Sequence, residues 1–400
     1  MSGLSERLLA PISNRELARR WAAVRKGMAE RRIDVLLMQA NNDFMGGYVR
    51  YFTGLPATNG YPVTVIFPRD DDMTVIGMGA LGVDRRLAPG EEPTRPGVKR
   101  LMGSPSFASA AYTMHYDAEL AERALEDFSG ATIGLLGKAT LPYAFLERLR
   151  RGRLSHARFV DAADFVDEIK AVKSAEEIAC LRLTAALQDA AMAAVFKAVR
   201  PGMREIELTA LAEQVGHGLG SEQGLFLAAS APPDRGVPFA NRHLQNRALH
   251  PGDQFTVLIE NNGAGGYYCE LGRTCVLGKA TAVMKDEFAL ALAARRFTLE
   301  RLKPGASCRG IWEAYNGFLR DRGRPEERRI HCHGQGYDMV ERPLVRFDET
   351  LPIRADMVLS CHPAWLTART YAWICDDYLI REDRPPERLH NFPETIVELG

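Results

Sequence analysis

Apolar side chains recur at helical spacing between residues 15 and 32 (Leu17, Trp21, Val24, Met28), with basic residues on the opposite face, which predicts an amphipathic helix. Short apolar runs at 34–38, 63–67 and 74–77 read as buried strands, and the Pro-Arg-Asp-Asp-Asp run between the last two reads as a hairpin turn. A polar loop is expected over 87–102, then a helix at 117–128, a strand at 132–136 and a helix at 142–150. This alternation predicts an open α/β domain ending near residue 160.

The later pattern changes character. Ser174 followed by Glu177 forms a capping box, which starts a helix running to about Val199 and stopping at Pro201-Gly202. A second helix is expected over 205–217. The same order returns with a helix at 288–302, a stop at Pro304-Gly305 and a helix at 309–322. Strand-rich sequence follows each pair, at 254–277 and 357–382, so the second half reads as an internal duplication whose concave sheet faces meet at a central site.

Composition narrows the class of protein. Lys plus Arg and Asp plus Glu are both 51, so bulk charge gives no reason to expect a nucleic acid or an acidic membrane as partner. No run of eighteen consecutive apolar residues occurs, so no membrane-spanning helix is expected, and the N-terminal sequence lacks the apolar core of a secretory signal. The seven cysteines are odd in number and include no C-x-x-C pair, which reads as reduced thiols and a cytoplasmic setting.

Candidate chemistry lies where ionisable residues interrupt apolar strands. Residues 255–274 predict a hairpin with Glu260 and Glu270 near its two arms; if they converge, mutual repulsion splits their pKa values into an acid/base pair. The plainer reading is a solvated strand end or a pair with Arg273. His331 and His333 share a face if their segment is a strand, as proton carriers, metal ligands or satisfied core residues. Glu341 beside Arg342 reads as an ion pair, and His362 ends an apolar strand. Asp376 and Asp377 lie inside another, where at least one needs a partner at the centre. No Walker loop, G-x-S-x-G elbow or Rossmann fingerprint is present, and the glycines at 216–220 mark a helix stop.

In series, several motifs resemble the creatinase/aminopeptidase P family. They are the junction at 169–178, the two Pro-Gly stops, Pro251-Gly252-Asp253, Gly266-Tyr267 with Arg273-Thr274, His333-Gly-x-Gly336 and Met357-Val-Leu-Ser. The resemblance implies an α+β architecture: a creatinase-type N-terminal α/β domain over 1–165 and a pita-bread catalytic domain over 166–400. Metallopeptidases of that family hold two ions through two Asp, one His and two Glu. Here the first Asp falls on Ile259 or, with a shorter turn, Glu260, and the second falls on Glu270. The His is His333; the two Glu fall on His362 and on Cys375 or, with a slip, Asp376, and a second family histidine becomes Val340.

Loss of bridging carboxylates argues against a dinuclear centre. The expectation is therefore a creatinase-like, metal-independent hydrolase that cleaves a C–N bond of a small nitrogenous molecule. His333 would be its general acid/base, with Glu260 or Glu270 orienting the substrate or attacking it. Tyr267, His331, Glu341, His362, Asp376, Asn241 and His243 are the implied substrate contacts. The alternatives are an Xaa-Pro dipeptidase or aminopeptidase with a metal, a lyase, or a non-catalytic binding protein. A single iron, manganese or zinc ion held by Glu260, Glu270, His333, His362 and Asp376 is the alternative to no cofactor. Family members often pair, which implies a homodimer with a small-molecule substrate as the other partner.

Overall fold

The computed structural model describes residues 5–400 and divides into two compact units, Met1–Lys170 and Ala171–Gly400. The division falls inside the helix Ala163–Ala171, a few residues beyond the boundary expected at 165.

The first unit is built on a seven-stranded mixed sheet. Its predicted helix spans Asn14–Arg31, capped by the Ser13 hydroxyl, which accepts the Glu16 amide at 3.1 Å. Val35–Ala40, Val63–Pro68, Met73–Met78 and Thr132–Leu135 are the expected strands, and the middle two form the expected hairpin. A short strand, Asp84–Arg86, comes just before the region read as a polar loop, and that region runs into a second strand, Val98–Ser104. The second lies parallel to Met73–Met78; its mixed polar pattern (Val-Lys-Arg-Leu-Met-Gly-Ser) reflects only partial burial and hid it from periodicity. Val35, Leu37, Ile133, Leu135, Phe145 and Leu149 meet in a core between this sheet and the helices His115–Ala124 and Tyr143–Arg151.

The second unit follows the duplicated pattern. The capping box forms as expected, with Ser174 Oγ accepting the Glu177 amide at 3.2 Å and the Glu177 carboxylate accepting the Ser174 amide at 2.7 Å. It opens the helix Ala175–Ala198, which is followed by Glu205–Gly218. Ala175–Ala198 is long and apolar enough to cross a membrane by composition alone, beyond what a count of consecutive apolar residues suggested. Its Ala191, Met192 and Val195 are buried against Ile259, Leu271 and Val257 of the sheet beneath, the contacts of a core helix. The second helical pair is Ala282–Leu299, begun by a Thr281 cap earlier than expected, and Cys308–Arg320.

Two larger sheets accompany these helices, beside a two-stranded one formed by Ala364–Leu366 and Tyr371–Trp373. One has four strands in the order Val397–Glu398, Tyr268–Val276, Gln254–Asn262, Gly224–Ala231. The other has five: Glu341–Leu344, Cys332–Gly334, Val358–Cys361, Asp376–Leu379, Glu387–Arg388. They touch at an antiparallel bridge between Gly272 and Cys375, whose amides and carbonyls exchange bonds of 3.1 and 3.3 Å. Only glycine fits at 272, because a Cβ there would stand 1.6 Å from the Trp373 ring. This bridge brings the central strands of the two sheets side by side, and the site is built across it.

Candidate active site

Strand register sorts the ambiguous positions first. Glu260 and Glu270 are direct partners across the antiparallel pair, so their side chains share one face. Ile259 points to the other face, into the core with Met192, Val195 and Leu208. Glu260, not Ile259, therefore lies on the face carrying Glu270. The same alternation acts at the other strand. The Cys375 thiol lies 3.1 Å from Ser360 Oγ, and Asp377 Oδ2 accepts the Glu270 amide at 3.0 Å, while Asp376 between them points away.

Three side chains from three strand segments converge. Glu270, His333 and His362 each present a donor atom within 4.8 Å of the others, and all three are buried. His333 Nε2 lies 3.4 Å from Glu270 Oε2, and its Nδ1 lies 3.0 Å from the Gly334 carbonyl. Ser360 Oγ donates to Glu270 Oε2 at 2.9 Å. The His333 and His362 rings stand 5.1 Å apart. His362 is positioned by its backbone, whose amide donates to the His331 carbonyl at 2.8 Å.

The electrostatics of this centre are those of buried groups in conflict. Burial alone would raise the Glu270 carboxyl, but His362, His333 and the Ser360 hydroxyl hold it below the usual carboxylate range. Burial drives Glu260 well above that range, and the charges of Glu270 and Asp377 add to the effect. Asp377 is pushed up to about 7 by burial, with the Glu270 amide opposing. Burial carries His362 down to about 4 against the pull of Glu270, so its ring is neutral at pH 7.

Several expected contacts are engaged elsewhere. Asp376 is buried among Arg273 (2.7 Å), Arg388 (2.9 Å) and Arg295, and serves as their counter-charge instead of a substrate contact. The Tyr267 hydroxyl donates to Glu177 at 2.7 Å and its ring stacks on Tyr337, so it fastens the helix cap. His331 is a core histidine, stacked 3.6 Å from the Tyr315 ring, with Nε2 3.2 Å from Thr298 Oγ1. Glu341 accepts the Tyr337 amide at 2.8 Å and pairs with Lys173 at 3.1 Å, shaping the turn after Gly336. Asn241 and His243 are exposed at the short turn Arg242–Leu244.

Residues singled out less clearly, or not at all, belong to the centre. Ser360 and Asp377 bond to Glu270 as described. Gln335 is fully buried, and neither amide atom of its side chain has a hydrogen-bond partner among the described residues. Its amide donates to the Val358 carbonyl at 2.9 Å, which continues the ladder and sets Gln335 on the face of His333. A polar residue two positions from His333 was the available signal.

One buried histidine gives a pH prediction. His390 is carried down to about 3, chiefly by burial. Its Nδ1 accepts the Asp377 amide at 3.3 Å and its Nε2 donates to Gln188 Oε1 at 3.0 Å, bonds that require the neutral ring. Its folded pKa lies below the unfolded value, so its contribution is full above pH 6.5 and is lost as pH falls from there toward 3. In urea titrations, His390→Gln is expected to be less stable than the parent at pH 7. The gap should narrow by about 1.4 kcal/mol per pH unit below 6.5. A gap independent of pH would remove the titration from the explanation.

Comparison with known proteins places the second unit. The profile of metallopeptidase family M24 matches residues 179–382, just over half of the chain. The Xaa-Pro dipeptidase of Pyrococcus horikoshii is 25% identical over 245 residues, 60% of this chain and 68% of that protein. An uncharacterized hydrolase/peptidase of Sinorhizobium fredii, y4tL, is 27% identical over 332 residues, 76% of this chain and 78% of the relative. An X-Pro aminopeptidase structure from Thermotoga maritima superposes with a TM-score of 0.78 at 18% identity, covering 94% of this chain and 99% of that one. Dipeptidase PepE from Mycobacterium ulcerans gives 0.76 at 21% identity, covering 97% and 99%. These likenesses establish the two-domain fold, an α/β unit followed by a pita-bread unit. The relatives carry peptidase names, which goes against the expected leaning toward creatinase-like members that are not peptidases. The chain belongs to metallopeptidase family M24 and is a hydrolase acting on C–N bonds.

Proposed function

We propose that the protein hydrolyses the amide bond of a dipeptide-like small molecule at the Glu270–His333–His362 centre. The observation that carries this reading is the convergence of those three buried side chains, opposite Glu260, inside the segment matched by the M24 profile. Glu270 and the two imidazoles surround the reacting carbon, and Glu260, their neighbour across the strand pair, is the proton carrier toward the leaving nitrogen. Gln335 offers one amide donor and one amide acceptor on the same face, which complements a peptide group and supports a dipeptide over a cationic guanidine. The dipeptidase names of the relatives point the same way.

The dinuclear centre of the family does not fit these residues. Ile259 lies in the core, Cys375 bonds with Ser360, and Asp376 is taken up by three arginines. Asp377 Oδ2 is taken by the Glu270 amide at 3.0 Å, so Glu260 and Glu270 remain, too few carboxylates to hold and bridge two ions.

A substrate panel tests the function. Xaa-Pro and other dipeptides should be turned over, with blocked amides slower and guanidines inert. Gln335→Leu should raise KM for dipeptides by about tenfold, the effect of one lost hydrogen bond of ~1.4 kcal/mol, while leaving kcat nearly unchanged. Turnover of guanidines alone would restore the creatinase-like reading.

A further inference from the structure

We propose that Phe239, Tyr371 and Trp373 form a side-chain pocket beside this centre and select a dipeptide that carries a neutral aromatic residue. The inference rests on the reading of the centre as a dipeptide hydrolase and adds the substrate's side-chain class to it.

Strand register places the pocket. On the face of the antiparallel pair that carries Glu260 and Glu270, the next rung is Leu258 opposite Gly272. Rungs on one face are two residues apart, about 7 Å along the strand. The Trp373 ring covers Gly272, where the missing Cβ leaves room for it, and packs with Leu258 and Cys375. An apolar floor therefore begins one rung from the two carboxylates, within a side chain's reach of an amide held between them.

The hairpin that supplies the floor is set between residues of the centre. Ala364–Leu366 and Tyr371–Trp373 pair antiparallel between His362 and Cys375, with Ala364 opposite Trp373 and Leu366 opposite Tyr371. Alternation sends Trp365 and Ala372 into a core with Tyr315 and Phe318, which leaves Tyr371 and Trp373 on the other face, against Phe239. Phe239 stands edge-on to both rings, 5.4 Å from Tyr371 and 4.8 Å from Trp373. Trp373 is buried, whereas Phe239 and Tyr371 are half-buried and keep ring surface open to a ligand. The loop carrying Phe239 is fastened to the hairpin tip, where the Gly236 amide donates to the Ala368 carbonyl at 3.0 Å and Arg369 pairs with Asp234 at 2.8 Å. Walls held in place before binding lose little freedom when a ligand arrives.

The walls select the ligand. A charged side chain entering here would leave water without an opposite charge among the three rings, so a neutral group is favoured. A further ring gains edge-to-face or offset contacts that an aliphatic chain of the same area lacks, a preference of about two- to tenfold.

The test measures kcat/KM of the whole protein for dipeptides that pair alanine with Phe, Leu, Lys, Pro or Ala, in both orders. In one order the phenylalanyl peptide should exceed its leucyl counterpart by about fivefold and Ala-Ala by at least about 30-fold. Phe239→Leu keeps an apolar wall but removes one ring, and should bring the Phe-to-Leu ratio to about one. If no dipeptide is hydrolysed, the dipeptide-hydrolase reading fails, and calorimetric binding of the same peptides to the parent and to Phe239→Leu decides the pocket by the same ratio. Absence of both turnover and binding, a preference for the lysyl, prolyl or leucyl peptide over the phenylalanyl one, or a Phe-to-Leu ratio unchanged in Phe239→Leu would overturn the proposal. If Phe239→Leu does not fold, Tyr371→Leu takes its place with the same expected ratio.

Discussion

Replacing Asp376 with asparagine is expected to destabilise the second unit by about 3–5 kcal/mol, the cost of breaking a buried ion pair from one side. The side chain is fully buried, and its carboxylate meets Arg273 at 2.7 Å, Arg388 at 2.9 Å and Arg295. Asparagine keeps the shape but leaves these guanidiniums facing a neutral amide, with Glu394 as the remaining carboxylate beside Arg295 and Arg388. Burial raises the Asp376 carboxyl, but Arg273 and Arg295 outweigh it and hold the group at about 2, below its ordinary 3.8. A carboxylate depressed in the folded state contributes stability that is full above pH 3.8 and fades as pH falls through 2. Urea midpoints at pH 7 measure the loss. An unchanged midpoint would show that the arginines are balanced without Asp376.

Replacing His333 with glutamine is expected to lower kcat/KM for dipeptides by about 10³-fold, close to 4 kcal/mol of transition-state stabilisation. The thermal midpoint should move little, because the imidazole is held by one backbone carbonyl and faces Glu270 without packing into a core cluster. The split between activity and stability separates a reacting residue from a structural one. By contrast, His331 two residues earlier is stacked on Tyr315, and its replacement should cost stability. If His333→Gln unfolds the protein and retains specific activity in whatever remains folded, the centre has been misassigned.

Much of the architecture is written locally. A capping box, two Pro-Gly stops and the alternation of helical and strand periods suffice for the duplicated second unit, because caps, turns and periodicity act over a few residues. The strand Val98–Ser104 escaped because its burial is partial and its parallel partner is distant in sequence. The chemistry was legible where an ionisable residue broke or ended an apolar strand, which is how Glu260, Glu270, His333 and His362 came forward.

Which face each residue takes was beyond the sequence. A register slip of one residue inverts a strand, so Ile259 and Glu260, or Cys375, Asp376 and Asp377, are interchangeable until the pairing of Glu260 with Glu270 and of Ser360 with Asp377 is known. Asp376 was read as a central group because its counter-charges, Arg273 and Arg295, lie 103 and 81 residues away along the chain. Local sequence determined the elements and the inventory of ionisable groups. Only the tertiary structure decided which of those groups face one another, because burial and charge pairing depend on contacts between distant strands.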